Sequence, residues 1–460
     1  MGYASGEQRA GGLHTRLYSR AFIVAEPDNS KRVVFVSADI GMVSQRVRLE
    51  VMNILESKYN GLYRQDNVIL SGTHTHSGPG GYFQYTIFRL ISGGFSREAT
   101  DAIVNGIVKA SVVRRCVGDA THDARKNAAK RTQKRCVLRH VRRFFCQKSD
   151  ARKMQLVAFS WYPFNTDKQM VIMKMVDMNG REVGLVSWFA VHAVSMPVTN
   201  HLVSSDNMGH ASYLFEQVKN TGSLPGEVTT CIATGPGDNV FDSTKIIGEQ
   251  IFERAVELYN SSTKEMLDTV NSAHQWVDMS NVTVKINETH TATTCKPALG
   301  YSFGAGTIDG PGLINFTQGM TEGNPFWDGV RDFLFGVPSN ETIECHEPKP
   351  ILLNTGEVRR GIPWHPTIID VQMITIGSLA ILAVPGEFTT MSGRRLREAV
   401  KKELDPSGAK DIDVVVSGLS NVYTHYITTF EEYQGNISNI SNLIIGVGDT
   451  MGLCDFKCQD

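Results

Sequence analysis

Two histidines separated by one residue, His74 and His76, stand on a glycine-rich turn with the sequence Gly-Thr-His-Thr-His-Ser-Gly-Pro at residues 72–79. The turn directly follows the apolar run Val-Ile-Leu at residues 68–70, which is typical of a buried strand. At the end of a strand, imidazoles at positions i and i+2 can point to one place in a cleft, and imidazole is a common ligand of metal ions. The spacing therefore suggests the beginning of a metal site.

A third histidine and a glutamate end two further apolar runs. His192 closes Trp-Phe-Ala-Val-His at residues 188–192, and Glu387 closes Ala-Val-Pro-Gly-Glu at residues 383–387. A His, His, Glu set that leaves one position open for water is typical of catalytic zinc. The alternative is that each residue has only a structural role, because the chain contains 13 His and 47 Asp and Glu residues. The convergence of these side chains is therefore a hypothesis.

The composition is that of a globular protein with one large or two moderate domains. The chain has 460 residues, of which 41% are hydrophobic and 20% are charged. Its formal net charge of -1 provides no overall field that would attract nucleic acid or an anionic membrane, so any lipid must be recognised locally. The sequence has no apolar stretch of about 18 residues that would span a membrane, and residues 1–12 lack the pattern of a secretory signal.

Glycosylation sequons and scattered cysteines favour a lumenal or extracellular history. Five of the seven Asn-x-Ser/Thr sequons lie between residues 260 and 342. The eight cysteines form no Cys-x-x-Cys pair, and Cys295 with Cys345, inside the sequon-rich region, is a disulfide candidate. The seven sequons begin at Asn260, Asn281, Asn287, Asn315, Asn340, Asn436 and Asn439.

Strand and helix patterns alternate along the chain. Residues 33–38 predict a buried strand, after which Ser44 caps a helix with one apolar face. Asn179 and Gly180 predict a hairpin turn, because both of its central positions need positive φ. The other predicted elements are strands at 170–176, 183–190, 371–376, 379–384 and 414–416, a helix at 243–259, and a helix that Ser392 opens and that ends at residue 404. This mixture favours an α/β fold, a mixed α+β sandwich whose loops form the site.

Two segments differ in composition from the rest of the chain. Residues 114–153 contain fourteen Lys and Arg against three Asp and no Glu. Such a run is usually a solvated face, and a nucleic-acid patch is the sharper alternative. Residues 435–460 also change character, with two sequons, a short Leu-Ile-Ile run and a Cys-x3-Cys end.

Several long motifs resemble the neutral ceramidase family. The similarity covers roughly residues 2–108, 166–226 and 231–433. Its motifs are Arg-Leu-Tyr-Ser-Arg-Ala-Phe at 16–22, Val-Ser-Ala-Asp-Ile-Gly-Met at 36–42, Gly-Thr-His-Thr-His-Ser-Gly-Pro-Gly-Gly-Tyr-Phe-Gln-Tyr at 72–85, the segment 188–196, Pro-Gly-Glu-Phe-Thr-Thr-Met-Ser-Gly-Arg-Arg at 385–395, and Asn-Val-Tyr-Thr-His-Tyr at 421–426.

The resemblance implies a zinc-dependent amidase that cleaves ceramide and other N-acylsphingosines, lipids derived from membranes, to sphingosine and a fatty acid. One Zn2+ per chain would be bound by His74, His192, Glu387 and Tyr426. Of these, Tyr426 is supplied by the resemblance alone. His76 would act in catalysis, either by hydrogen-bonding the oxyanion or by passing a proton to the leaving amine. The aromatic residues that could line a lipid pocket are Phe83, Tyr85 and Phe88, although aromatic residues at such spacing belong to the core more often than to a pocket.

The sequence also departs from the family pattern. The family's loop with an essential serine, in a Gly-Asp-Val-Ser-Pro-Asn motif, should follow residue 226, but the chain passes from Leu224-Pro225-Gly226-Glu227 almost directly to Cys231. The basic segment stands where an Arg-Ser-Pro motif is expected, and Ser438 takes the place of a second active-site tyrosine. We therefore expect a catalytic domain at 1–433, interrupted at about 110–165 and shortened near 226–231. A divergent tail at 434–460 would follow, without the family's immunoglobulin-like domain.

Two hypotheses from different classes follow. The first is a zinc amidase acting on ceramide, and the second is a non-catalytic relative that keeps the ligands and binds zinc or lipid without turnover. A zinc peptidase is a weaker third, because the sequence has no His-Glu-x-x-His motif. By resemblance, the expected location is extracellular or at the plasma membrane. We expect the basic segment to be foreign to the family rather than a nucleic-acid site.

Overall fold

The structure is a computed structural model that describes residues 7–26, 28–113, 135–142, 166–176, 182–220, 240–266, 269–285, 289, 291–307, 310–311, 316–317, 320–358, 361–429 and 432–433. The predicted turn at Asn179 and Gly180, the junction near residue 226 and the tail lie outside these residues, as does most of the basic segment. Within the basic segment, Arg135–Arg142 forms a strand that pairs with its neighbours on both sides.

The strands are β1 (Gly12–Leu13), β2 (Ser19–Ala25), β3 (Arg32–Ala38), β4 (Val68–Gly72), β5 (Arg135–Arg142), β6 (Gln169–Val176), β7 (Glu182–Phe189), β8 (Leu202–Val203), β9 (Lys264–Met266), β10 (Val270–Asp278), β11 (Thr283–Lys285), β12 (Thr291–Thr293), β13 (Leu299–Gly300), β14 (Gly306–Thr307), β15 (Gly310–Pro311), β16 (Ile351–Leu353), β17 (Ile368–Ile376), β18 (Leu379–Ala383), β19 (Glu387–Phe388), β20 (Asp413–Ser417) and β21 (Tyr426–Ile427). The helices are α1 (Gln45–Lys58), α2 (Thr86–Ile91), α3 (Arg97–Val113), α4 (Asp206–Asn220), α5 (Val240–Ser261), α6 (Tyr301–Gly304), α7 (Pro325–Phe335), α8 (Asn340–His346) and α9 (Thr390–Leu404), with a 3-10 turn at Thr355–Glu357.

Three sheets pack around a shared apolar centre. Their strand orders are β2-β3-β4, β7-β6-β5-β9 and β10-β17-β18-β20. The centre combines one face of each sheet, with Phe35 and Ile69 from the first, Met173 from the second, and Ile374 and Ile381 from the third. The opposite face of the first sheet packs on α1 and α3, that of the second on α4 and α5, and that of the third on α9. The predicted mixed α/β architecture is confirmed.

Most predicted elements coincide with observed ones, but one helix start is wrong. Ser44 caps α1 as predicted, because its side chain accepts a hydrogen bond from the Val47 backbone N–H. The helix expected to open at Ser392 instead begins at Thr390 with Thr389 as its N-cap. The Thr389 side chain accepts from the Ser392 N–H, so both hydroxyl residues lie at the helix start and the earlier one has the capping role.

The strand ends that carry the candidate ligands lie close together because of how the strands pair. Strands β3 and β4 are parallel, and so are β18 and β20. Beyond β20, the Ser420 backbone bridges Ser71 at the end of β4, and the Leu419 N–H donates to the carbonyl of Gly386 beyond β18. The carboxyl ends of β4 and β18 therefore lie on the same side of the molecule, joined by the loop after β20.

The aromatic residues near the double-histidine turn are divided between core and partly buried positions. Phe83 and Phe88 are only 2% and 1% exposed and belong to the core around α1 and α3, which agrees with the core interpretation of their spacing. Tyr85 is partly buried, and its hydroxyl donates to the Gln45 side chain. The two phenylalanines therefore pack in the core, in the same cluster as Tyr423.

The predicted disulfide between Cys295 and Cys345 is confirmed, with Cα atoms 5.8 Å apart. It ties the segment after β12 to α8. Of the sequon asparagines, Asn260, Asn281 and Asn340 are in the described residues, and all three are exposed. None of the helices that the structure describes is both long and apolar enough to cross a bilayer.

Candidate metal centre

The loop after β4 is held by backbone hydrogen bonds to the end of β3. The Thr73 and His74 N–H groups donate to the carbonyls of Ala38 and Ile40, at 2.9 and 3.0 Å. His74 has a φ of +67°, a conformation that non-glycine residues rarely adopt and that a tightly bonded loop has to enforce. The turn thereby brings His74 and His76 close together, with ring centroids 4.6 Å apart.

His192 reaches the same place from β7, three residues beyond the end of that strand. The His76 N–H donates to the carbonyl of Ala193 at 3.3 Å, which joins the two histidine loops through the backbone. From α4, the Asn207 side-chain amide donates to the carbonyl of His192 at 3.3 Å. The His192 side chain is 38% exposed, against 8% for His74, so the histidine cluster meets solvent on the His192 side.

Glu387 opens the short strand β19, which pairs in parallel with β21. Its N–H donates to the carbonyl of His425 at 2.9 Å, and its carboxylate is 10% exposed. The preceding Gly386 allows this approach, because a Cβ at that position would lie 2.4 Å from the His425 carbonyl oxygen. Only glycine fits here without moving the two strands apart.

Three imidazole nitrogens and one carboxylate oxygen converge at this point. The Nε2 atoms of His74, His76 and His192 lie 2.9 to 3.2 Å from one another. Glu387 Oε2 lies 3.1 Å from His74 Nε2 and 3.8 Å from His192 Nε2. Nitrogen ligands at about 2.0–2.1 Å from a tetrahedral zinc are about 3.3–3.4 Å apart, so the four atoms have close to the spacing of ligands around one ion.

The hydrogen bond behind His74 determines which nitrogen faces the cluster. His74 Nδ1 lies 2.8 Å from the carbonyl oxygen of Gly41, and since a carbonyl only accepts, Nδ1 must carry the proton. In the neutral ring, Nε2 then presents a lone pair toward Glu387, His76 and His192. Metal-binding histidines usually donate the proton of their other ring nitrogen to a carbonyl or carboxylate in this way. Three ring nitrogens and a carboxylate oxygen at these distances suit a cation between them.

The pKa values of these groups reflect burial and their mutual charges. Burial, followed by the nearby His74, lowers the pKa of His76 to about 2 and that of His192 to about 4. Burial lowers the pKa of His74 too, but the carboxylate of Glu387 outweighs it and raises the net value. For Glu387, burial opposes ionisation, yet His74 and the other neighbours hold its pKa well below the ordinary range. The site therefore keeps an ionised carboxylate beside neutral imidazoles at His76 and His192, and that carboxylate favours the protonated form of His74.

The structure brings together His74, His76, His192 and Glu387, and it places Tyr426 next to them on the backbone. Tyr426 is the register partner of Glu387 in the parallel pair of β19 and β21, so both residues lie on the same face of that pair. The nearness of His76 to His74 agrees with the i, i+2 spacing, which predicted that the two imidazoles can point to one place. His74, His76 and His192 form a group whose geometry could hold a metal ion.

Sequence reasoning missed Tyr423. Its hydroxyl donates to Glu387 Oε1 at 2.6 Å. The residue lies within the motif at 421–426, but nothing in the spacing of that motif indicates which of its two tyrosines contacts the carboxylate.

Comparison with known proteins gives the family. The model of "neutral/alkaline non-lysosomal ceramidase, N-terminal" matches residues 1–230 and 219–437. The chain belongs to this family. Its two matched segments overlap at the place where the sequence departs from the family pattern.

The curated relatives and the solved structures that this chain resembles are also ceramidases. Neutral ceramidase B of Dictyostelium discoideum is 39% identical over 483 residues, which cover 94% of this chain and 65% of the relative. Neutral ceramidase of Drosophila pseudoobscura pseudoobscura is 36% identical over 97% of this chain and 69% of its own length. A solved structure of ceramidase complexed with C2 superposes with a TM-score of 0.76 at 33% identity, covering 96% of this chain and 69% of that one. The chain thus spans about two thirds of the length of these ceramidases.

Proposed function

We propose that this ceramidase-family chain is a zinc-dependent amide hydrolase that cleaves N-acylsphingosines to sphingosine and a free fatty acid. The observation that carries the proposal is the convergence of His74, His76, His192 and Glu387 within hydrogen-bond distances at the ends of three strands. The ligands in this proposal are His74, His192, Glu387 and Tyr426. Family membership supports the choice of substrate.

Each side chain has a separate task in this reaction. When bound by these residues, zinc would polarise the amide carbonyl and lower the pKa of a bound water. Glu387 supplies the negative charge of the ligand set, and the carbonyl of Gly41 keeps the His74 proton on Nδ1. His76, whose Nε2 lies 3.1 to 3.2 Å from the two ligand nitrogens, donates a hydrogen bond to the oxyanion that develops on the substrate. Alternatively, His76 takes the proton that the attacking water loses and passes it to the leaving amine, so that the OH of water ends on the acid and its proton on the amine.

A second candidate is a relative that binds zinc or lipid without turnover. The observation that favours it is the passage from Glu227 almost directly to Cys231, where the family's serine loop is expected. Loss of oxyanion and positioning groups typically costs on the order of 10²- to 10³-fold in rate for each group. The intact cluster favours the enzyme, and the short junction favours the relative without turnover.

Hydrolysis of a fluorescent N-acylsphingosine distinguishes the two candidates. The purified chain is assayed zinc-loaded, after chelation and after zinc is restored, beside Glu387→Ala, which removes a ligand. The proposed enzyme shows turnover that the chelator abolishes, that zinc restores and that the variant lacks. Zinc-loaded protein that is no faster than Glu387→Ala, yet still binds zinc, identifies the relative without turnover.

We also infer that the chain matures in an oxidising compartment and is glycosylated, which suits a secreted or plasma-membrane protein. Support comes from the disulfide of Cys295 and Cys345 and from the exposed sequon residues Asn260, Asn281 and Asn340. Enzymatic removal of N-glycans from protein made in animal cells tests this. A mobility shift that becomes smaller when the three asparagines are changed to glutamine supports it, and a mobility that N-glycan removal leaves unchanged contradicts it.

A further inference from the structure

We propose that Tyr423 is a positioning residue that divides the two oxygens of Glu387 between two tasks, so that only Oε2 faces the metal. This inference rests on the proposed zinc site and names a residue outside the proposed ligand set. Without Tyr423, both carboxylate oxygens would be free to turn toward the ion.

The distances separate the two oxygens clearly. Tyr423 donates its hydroxyl proton to Oε1 at 2.6 Å, a short hydrogen bond of the charge-assisted kind. The other oxygen, Oε2, is the one that lies 3.1 Å from His74 Nε2 and 3.8 Å from His192 Nε2. Each oxygen of the same carboxylate therefore has its own partner, and the plane of the group is set by both.

The Tyr423 ring is held by the core. The residue is 8% exposed, and its ring centroid lies 6.5 Å from that of Phe83, 5.8 Å from that of Phe88 and 5.3 Å from that of His425. A ring packed on three sides cannot change rotamer without opening the core. The hydroxyl is therefore a fixed point to which the carboxylate is bound.

The loop that carries Tyr423 is attached to β4, the strand that leads to His74. Asn421, with a φ of +63°, exchanges hydrogen bonds with Leu70, its N–H donating to the carbonyl at 2.9 Å and its side-chain oxygen accepting from the N–H at 3.0 Å. The Asn421 amide also donates to Asp370 at 2.8 Å, in the buried network around Arg48.

The same loop is attached to the segment that leads to Glu387. Thr424 donates from both its N–H and its hydroxyl to the carbonyl of Pro385, each at 2.7 Å. His425, with a φ of +67°, accepts the Glu387 N–H. Tyr423 thus lies between Asn421, which is bonded to the strand that leads to His74, and Thr424, which is bonded to the segment that leads to Glu387. Its hydroxyl holds the carboxylate at a fixed position relative to the histidines.

The chemical consequence concerns the coordination number. A carboxylate can bind one cation through one oxygen or both. Because Oε1 is engaged by Tyr423, Glu387 would contribute one donor rather than two to a bound ion. When the hydroxyl is removed, the carboxylate can turn to place both oxygens on the ion. Loss of such an outer-shell partner typically costs roughly 10- to 100-fold in metal affinity or activity.

The test compares Tyr423→Phe with Tyr301→Phe. Tyr301 is a matched control, since it is 1% exposed and its hydroxyl donates to a carboxylate oxygen of Asp328 at 2.8 Å, in an apolar cluster with Phe316 and Leu352. Parent and variants are loaded with Co2+, whose visible absorption weakens as the coordination number rises, and zinc affinity is measured by competition with a chelator. Melting temperatures and circular dichroism report on folding.

We expect Tyr423→Phe to show weaker cobalt absorption, a zinc affinity lowered roughly 10- to 100-fold and a fall in kcat larger than any change in KM. Tyr301→Phe should keep the parental spectrum. A Tyr423→Phe protein with the parental spectrum and zinc affinity overturns the inference while leaving the proposed function intact. A parent chain that binds neither cobalt nor zinc overturns both.

Discussion

Replacement of Gly386 by alanine should damage the metal centre without touching a ligand. The new Cβ would lie 2.4 Å from the His425 carbonyl oxygen and 3.1 to 3.2 Å from the Ile427 side chain, whereas real Cβ atoms essentially never come closer than 3.0 Å to another atom. The carbonyl must therefore retreat by at least 0.6 Å. Because that carbonyl accepts the Glu387 N–H, the carboxylate is displaced with it.

The expected size of the effect follows from this displacement. A misplacement of about 1 Å can cost roughly 10²-fold in rate, and a shifted ligand lowers metal affinity as well. We expect Gly386→Ala to lose roughly 10- to 100-fold in zinc affinity, measured by chelator competition. Gly393→Ala in α9 is the control, since its Cβ would meet only Phe388 at an ordinary 3.7 Å. That variant should bind zinc normally and gain about 0.5–1 kcal/mol of stability. Parental zinc affinity in Gly386→Ala would refute the reasoning.

Three further predictions concern stability. Arg48→Met removes the guanidinium that lies 3.1 Å from the fully buried Asp370, which should lower the free energy of unfolding by about 3–5 kcal/mol. With roughly 2.1 cal/mol/K of unfolding entropy per residue over 460 residues, the Tm should fall by about 3–5 °C in calorimetry. An unchanged Tm would contradict this prediction. Changing both Cys295 and Cys345 to alanine opens a loop of 50 residues and should cost about 4 kcal/mol by the chain-entropy estimate, seen as a lower urea midpoint. Zinc at about 100 times its Kd should stabilise the chelated chain by about 2.7 kcal/mol, and Glu387→Ala should show no such shift.

The parts of the site that sequence predicts are those where a strand pattern ends in a chemically specific residue. His74, His192 and Glu387 each follow an apolar run, and buried strands whose ends meet at one edge bring such residues together. The same logic predicted α1 from Ser44, because the cap and the apolar face agree. The disulfide was predicted by its position among the sequons.

The parts that sequence did not predict depend on contacts between distant segments. The left-handed backbone of His74, Asn421 and His425 has no glycine to signal it, since tertiary hydrogen bonds impose these conformations. For the same reason the Tyr423 contact to Glu387 was missed. Whether Phe83 and Phe88 face a pocket or a core also depends on what packs against them, and a spacing alone cannot distinguish the two.

Zinc titration of ceramide hydrolysis tests the central claim most directly. Chelated protein is given increasing zinc, and release of fatty acid from a fluorescent N-acylsphingosine is followed at each step. The account predicts turnover that rises with zinc and levels off at about one ion per chain, with none in Glu387→Ala. Zinc that binds at one ion per chain without any release of fatty acid would contradict it.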